Sequence, residues 1–326
     1  ALLRAACERV GVTILPGADA RPHDGDGSLE RIVLADGEAV TGDLFVDADG
    51  ALVGLLDPQG AASDNVFCDR VIRGSAAPLD PLPLYSRVAA HDAGWAALIP
   101  LGDRLAVEIA YAGARMSDDS ARAVLARIAG RPVEAGETEP VRATRRARPW
   151  VSNCVAIGRA AGAAPLLDGA ELLLLQLAVA QLVLLWPIDR SAMPEALIYN
   201  EELAGSHARV GDFTAQHFRL NARNGERFWD DARAAPVSAE LAGKIDLFAA
   251  RGMFAHFNHE AHVEDGWALC MAGHGVVPRS FDPQASLVAD QALMAEFQRQ
   301  LRAVAVDVRG METHAGALAR IRSGGG

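Results

Sequence analysis

Near its start the chain places apolar residues in short alternating runs, broken by acid-and-glycine turns. Gly11-Val12-Thr13-Ile14-Leu15 reads as a β run after a helix end, and Arg31-Ile32-Val33-Leu34-Ala35 alternates as a half-buried strand does. His23-Asp24-Gly25-Asp26-Gly27 is the chemistry of a solvated hairpin turn, and Asp36-Gly37 signals a second hairpin. Leu44-Phe45-Val46 is a short apolar strand that ends in Asp47-Ala48-Asp49-Gly50. The β texture continues over 65–111, with runs at 84–90, 94–100 and 104–111. Ser117-Asp118-Asp119 caps a helix reaching about Ile128, and Val151 to Ile157 reads as a buried strand.

The period then changes. Leu172 to Trp186 is a 15-residue apolar run interrupted by Gln176 and Gln181. A membrane-spanning helix needs about 20 apolar residues, so a buried core helix is expected. Beyond Pro187, helical periodicity runs from Pro194 to Phe218, from Ser238 to Ala250 and from Ser286 to Val306. Only Ser323-Gly324-Gly325-Gly326 reads as disordered, and no internal repeat is present. The pattern predicts an α+β chain, with a mixed β-rich body over 1–187 and a helical part over 188–326.

Composition narrows the function classes. Half of the 326 residues are hydrophobic and 22% are charged, the balance of a globular protein. A net charge of −11 argues against nucleic acid and against anionic membrane as partners. Lys244 is the single lysine, so any mechanism that needs a lysine has one candidate in this stretch. Cys7, Cys68, Cys154 and Cys270 have no CxxC spacing, which predicts buried thiols in a cytoplasmic protein. The chain opens on Ala1-Leu2-Leu3-Arg4 as if in mid-helix, and the expectation is that an N-terminal portion precedes it.

Two segments carry the strongest chemical signal. Leu44-Phe45-Val46-Asp47-Ala48-Asp49-Gly50 and Val155-Ala156-Ile157-Gly158-Arg159-Ala160-Ala161-Gly162 each run a strand into small residues, about 110 residues apart. Such turns bring backbone close to a cofactor and offer N–H groups to an anion. Both resemble the dinucleotide-binding segments of FAD-dependent monooxygenase-like proteins. Further matches follow in order: Gly94-Trp95-Ala96-Ala97-Leu98-Ile99-Pro100, Tyr199-Asn200, Asp212-Phe213, Asn221-Ala222-Arg223 with Phe228-Trp229, and Gly273-His274-Gly275 through Arg279. Together they resemble the flavin-dependent tryptophan halogenases across essentially the whole chain, as the C-terminal two-thirds of such a protein.

The resemblance implies the rest of an FAD-binding α/β domain, with FAD reduced by a separate flavin reductase and a halide as co-substrate. Reduced flavin and oxygen oxidise the halide, which travels a tunnel to a small aromatic or indole substrate. A homodimer is carried as an expectation. Asp168 falls on the family's assisting glutamate, and Ala170 and Glu171 on its halide site. Ala20, Gly50, Gly158, Arg159, Gly162 and Leu172 fall at the flavin, and Trp95, Phe218, Asn224, Phe228 and Trp229 at the substrate. The family's Gly-x-Gly-x-x-Gly loop and catalytic lysine are expected in the part that precedes this chain, and Lys244 does not stand in for that lysine.

Several positions depart from the family. Asp168 is one methylene shorter than glutamate, and a misplacement of about 1 Å can cost about 10²-fold in rate. Glu171 puts an acid where an anion is held, Ala97 replaces the second tunnel tryptophan, and Asn224 replaces an acid that grips a substrate amine. These departures leave open a halogenase-like binding protein without catalysis, or a flavin monooxygenase. Asp168 also reads as the N-cap of the apolar helix, and Phe228-Trp229 as ordinary core. His256, His259 and His262 share a face only if their segment is helical, and no metal site is expected.

Overall fold

The computed structural model describes residues 2–15, 21–64, 67–163, 167–189 and 192–324, and of positions 61–64 and 168 it describes the backbone alone. The elements begin with α1 (Leu2–Arg9), β1 (Arg21–Gly25), β2 (Ser28–Val33), β3 (Ala39–Thr41), β4 (Phe45–Asp47), α2 (Ala51–Leu56) and β5 (Ala61–Asp64). There follow β6 (Arg70–Ala76), β7 (Arg87–His91), β8 (Gly94–Pro100), β9 (Leu105–Tyr111), α3 (Asp118–Ala129), β10 (Glu134–Pro140) and β11 (Ala143–Arg146). After β12 (Trp150–Val151), β13 (Cys154–Ala156) and β14 (Gly162–Ala163) the chain is helical: α4 (Ala170–Leu184), α5 (Glu195–Arg219), α6 (Arg227–Ala234), α7 (Ala239–Arg251), α8 (Glu264–Gly273), α9 (Asp290–Gly310) and α10 (His314–Arg322). The chain is therefore α+β, with its helices concentrated after β14.

Two compact units form, each from two stretches: Ala1–Asp64 with Ala143–Gly211, and Asn65–Arg142 with Asp212–Gly326. The change of texture after Pro187, where a boundary between 1–187 and 188–326 is expected, is a change of secondary structure, and α5 carries the chain from the first unit into the second.

The first unit holds three small sheets. In one, β1, β2 and β3 form an antiparallel meander whose first turn puts Asp26 and Gly27 at φ 50 and 79, as a two-residue hairpin of primed type requires. The second runs β12-β13-β4, with β13 antiparallel to β12 and parallel to β4; the third runs β14-β11-β5. Cys154, Val155 and Ala156 are all fully buried, so β13 shows the unbroken apolar run of a strand covered on both faces. The strand expected over Val151 to Ile157 is two strands, because Ser152 at φ 51 turns the chain between β12 and β13.

Two other readings change here. Residues 12–15 form no strand, and Val12, Ile14 and Leu15 are exposed, since the described residues place no neighbouring strand to take their ladder bonds. The apolar run is indeed a helix, α4, but only the stripe Ala170, Leu174, Ala178 and Leu182 is buried. These positions recur every four residues along one helix face, while Leu172, Val183 and Leu184 are exposed. No helix of the described residues is long and apolar enough to cross a membrane.

The second unit is organised on a five-stranded antiparallel sheet, β10-β6-β9-β8-β7. Alternate residues Leu105, Val107 and Ile109 of β9 join Ile72, Ala96 and Leu98 in a core closed by Ala121 and Leu125 of α3. Ser117 caps α3 by accepting from the Ser120 N–H, and Ser238 caps α7 by accepting from Leu241. A second cluster packs Phe213, Leu241, Phe248, Trp267 and Met271. The segment with His256, His259 and His262 is not helical, and His259 sits at φ 64, so these three share no helix face.

Candidate functional site

The flavin-like segments end in adjacent turns of the first unit. The strands β4 and β13 run parallel and pair Phe45 with Cys154 and Asp47 with Ala156. The Ile157 N–H donates to the Asp47 carbonyl at 2.8 Å, which joins the ends of the two strands. Asp47, 2% exposed, accepts N–H bonds from Asp49 (3.1 Å), Gly50 (2.8 Å) and Val53 (2.7 Å). The carboxylate thereby supplies acceptors to a turn and to the first turn of α2, where the backbone has none of its own. That turn closes through Gly50 at φ 99, a left-handed conformation that glycine adopts without a Cβ penalty.

Gly158, at φ 53, opens a 3-10 turn over Gly158–Ala160 after β13. A Cβ on Gly50 would meet the Ala160 Cα at 3.9 Å, which places the two turns side by side. A Cβ on Gly158 would lie 3.3 Å from Leu175 of α4, and one on Gly162 would collide with the Thr144 carbonyl at 2.7 Å. Arg146, which the sequence reading did not single out, donates from Nε to the Ala160 carbonyl and from Nη1 to the Asp57 carbonyl. The guanidinium thus ties the turn after β13 to the end of α2. Arg159 is exposed, and Leu172 is 62% exposed on α4, away from the buried stripe.

Ala170 is buried at the first position of α4 and Glu171 is half-buried beside it. The N-cap of α4 is Gly169 at φ 64, with no side-chain cap, so the expectation of Asp168 as N-cap is corrected. The Asp168 backbone lies in a 3-10 turn over Leu167–Gly169; its side chain, and the whole of Ala20, lie outside the described residues. Tyr199 and Asn200 serve the framework: the Tyr199 hydroxyl donates to the Ala156 carbonyl, and Asn200 exchanges two bonds with the Trp150 backbone. Asn153 does the same for Leu29. Burial, aided by Asp47, pushes the Cys154 thiol up to about 12, which removes it as a nucleophile at neutral pH.

The substrate-side candidates all lie in the second unit, where Phe218, Phe228 and Trp229 meet. On β8, Trp95 and Ala97 point to the face opposite Ala96 and Leu98, whose side chains join the α3 core. Phe218 stacks on Phe67 at 4.6 Å and lies nearly parallel to Trp229 at 6.0 Å and 17°. Phe228 and Trp229 are buried and cross at 86°, 5.0 Å apart. These rings already sit at the separations of touching aromatic pairs, and Phe228 and Trp229 hold no gap for a third ring between them. The Trp229 indole donates to the His91 carbonyl at 2.8 Å, and the Asn221 amide donates to the carbonyls of Phe218 and Trp229. Asn224 is exposed, with its amide on the Ala222 carbonyl.

Two further polar clusters occupy this unit. Lys244, 3% exposed, pairs with Glu260, lies 4.2 Å from the Trp267 ring centroid, and Trp267 Nε1 donates to Glu260 at 3.2 Å. His217, Cys270 and His274 each place a donor atom within 4.8 Å of the others. Burial, and then His217, hold the His274 imidazole below its ordinary value. The lysine was visible in the sequence as a singleton, but its half-buried partner was not.

The family description "Tryptophan halogenase" matches residues 1–290. The chain is 30% identical over 235 residues to the tryptophan 6-halogenase SttH of Streptomyces toxytricini, covering 68% of this chain and 45% of that protein. Among solved structures, the flavin-dependent halogenase BrvH of Brevundimonas sp. BAL3 superposes with a TM-score of 0.88 at 30% identity, over 98% of this chain and 67% of that one. Xcc4156, a flavin-dependent halogenase from Xanthomonas campestris, gives a TM-score of 0.91 at 27% identity, over 98% and 66%. The chain spans about half the length of the curated relatives it matches.

Proposed function

The chain belongs to the tryptophan halogenase family, and from that footing we propose that it is part of a flavin-dependent halogenase acting on an indole or other aromatic compound. The observation that carries the reading is the pair of glycine turns at the carboxyl ends of the parallel strands β4 and β13, with Gly50 and Gly158 both left-handed. Ligands of α/β sheets bind outside the carboxyl ends of parallel strands, and small residues let a dinucleotide approach the backbone. The residues present fit one edge of such a cofactor. Gly50, Gly158 and Gly162 would border it, and Arg159 would face its phosphates. The Asp47 carboxylate is committed to three backbone N–H groups and shapes the turn.

Reduced FAD, recharged by a separate reductase, would supply with oxygen the oxidising power for halide. Ala170 and Glu171 would border the halide, and Asp168 would take the proton that the aromatic ring loses on halogenation. Glu171 opposes an anion there, so halide affinity is expected to be weak. Glu171 at the halide position and Ala97 at the second tunnel tryptophan favour a second reading, a halogenase-like binding protein without halogenation.

Mass spectrometry of an indole panel tests the proposal, on the complete protein that carries this chain, with FAD, a flavin reductase, oxygen and bromide. Bromide-dependent brominated product, reduced at least about 10²-fold in Asp168→Ala, is the expected result. Flavin binding with no brominated product from any indole would overturn the halogenase reading in favour of the second.

A further inference from the structure

One sulfur and two imidazoles converge in the second unit, in a place that the proposed reaction does not use. His217 lies in the last turn of α5, Cys270 in the last turn of α8, and His274 is the residue that ends α8. Cys270 and His274 are four residues apart, a spacing that sets both side chains on one helix face. His217 comes to them from a separate helix. His217 Nδ1 lies 3.1 Å from His274 Nε2, and Cys270 Sγ lies against the edge of the same ring, 3.6 Å from Nδ1 and 3.5 Å from Nε2.

The Nδ1–Nε2 separation of 3.1 Å and the Nδ1–Sγ separation of 3.6 Å are those of adjacent ligands on one ion, and Sγ, equally near His217 Nε2, joins them by a turn of the His217 ring. Zinc holds imidazole nitrogen at about 2.0–2.1 Å and thiolate sulfur at about 2.3 Å, and tetrahedral angles then separate the ligands by about 3.3 Å (nitrogen to nitrogen) and about 3.6 Å (nitrogen to sulfur). Hydrogen bonds from His217 to His274 and from the Cys270 thiol to His217 Nε2 hold the trio together without an ion, and one bound ion would replace both. We infer that His217, Cys270 and His274 bind one zinc ion, with solvent in the fourth position. Two imidazoles and a thiolate are ligands for a borderline-soft ion and not for magnesium or calcium. Binding forms one Zn–S and two Zn–N bonds, and the thiol proton passes to solvent. The ion would tie the end of α5 to the end of α8, beside the cluster of Phe213, Trp267 and Met271.

The test is made on the complete protein that carries this chain, purified without a histidine tag or chelator. Elemental analysis is expected to find one zinc per chain. Cobalt loaded into chelator-treated protein is expected to show the intense visible bands of tetrahedral coordination and a thiolate-to-cobalt charge-transfer band. Loss of an outer partner of a metal ligand costs about 10–100-fold in affinity, so Cys270→Ser, which removes a ligand itself, is expected to weaken zinc binding by more than about 100-fold. It should also abolish the charge-transfer band, whereas His256→Ala, at an exposed position outside the trio, leaves both unchanged. Should Cys270→Ser fail to fold, zinc protection of Cys270 from alkylation in the unmodified chain takes its place. Substoichiometric zinc with no charge-transfer band, a band that survives Cys270→Ser, or alkylation indifferent to zinc would each overturn the assignment.

Discussion

The buried polar side chains of the first unit go to backbone, whereas the second adds networks of paired charges. In the first, Asp47, Arg146, Asn153, Tyr199 and Asn200 all bond to backbone atoms. In the second, side chains also bond to one another: Lys244 to Glu260, Arg70, Tyr111 and Thr138 to Asp118, and Arg73 to Glu108 and Glu139. Backbone that leaves a ladder must find partners elsewhere. In the first unit β3, β4, β12, β13 and β14 are only two or three residues long and end in turns, so side chains there complete the backbone. The five-stranded sheet and long helices of the second satisfy most of their own backbone, so beside bonds such as those of Asn221 and Trp229 to carbonyls its charged side chains also pair with one another.

The contrast can be broken most sharply at Lys244. Removing one partner of a buried ion pair leaves an uncompensated charge, so Lys244→Met is expected to destabilise the chain by about 3–5 kcal/mol in urea denaturation followed by tryptophan fluorescence. Lys244→Met combined with Glu260→Leu should recover most of that loss. A single variant costing less than about 1 kcal/mol would show that water reaches the pair and that the second unit does not depend on it.

The corresponding cut in the first unit is Asp47→Ala. Three backbone N–H groups lose their acceptor, and a loss of about 3 kcal/mol is expected. Because Asp47 shapes the Gly50 turn, flavin binding by the complete protein should weaken in step. Weakened flavin binding at unchanged stability would instead make Asp47 a direct ligand group.

Glu171 tests the halide side of the same turn region. On the halogenase reading, Glu171→Gly is expected to lower the KM for bromide about tenfold, equivalent to ~1.4 kcal/mol, with little change in kcat. An unchanged KM would place the halide away from Glu171.

The smallest effect is a pH profile. Bonds from Thr138, then Tyr111 and Arg70, hold the Asp118 carboxyl down to about 2, below its ordinary 3.8. Its folded pKa is the lower one, so its contribution is complete above about pH 4 and is lost as the pH falls towards 2. Asp118→Asn should flatten the stability curve between about pH 4 and 2 and leave it parallel above. A curve still steep in that window would assign the acid sensitivity to other carboxylates.

Local pattern alone was enough for β4, the Asp36-Gly37 hairpin, the Ser117 and Ser238 caps and the course of α4, α5 and α7, because each signal lies within a few residues of the structure it sets. The family resemblance was legible for a related reason, since its motifs are short strand-and-turn segments in a set order. Spacing misled where it presumed a backbone. A three-residue repeat of histidines has meaning only on a helix, and His256 to His262 are not on one. Phe228 and Trp229 were expected at the substrate or as ordinary core, and both are buried on α6 with rings that cross at 86°, as consecutive helix residues diverge.

The sequence by itself determined the alternation and turns that make the strands, the helix starts and the glycines that turn after β4 and β13, for these depend on each residue's own backbone preference and periodicity. Only the tertiary structure decided which distant groups meet: β4 beside β13, Arg146 across two turns, Lys244 on Glu260, and His217 on Cys270 and His274. Those pairings follow from how helices and sheets bury their apolar faces, and the polar groups are carried to wherever that packing brings them.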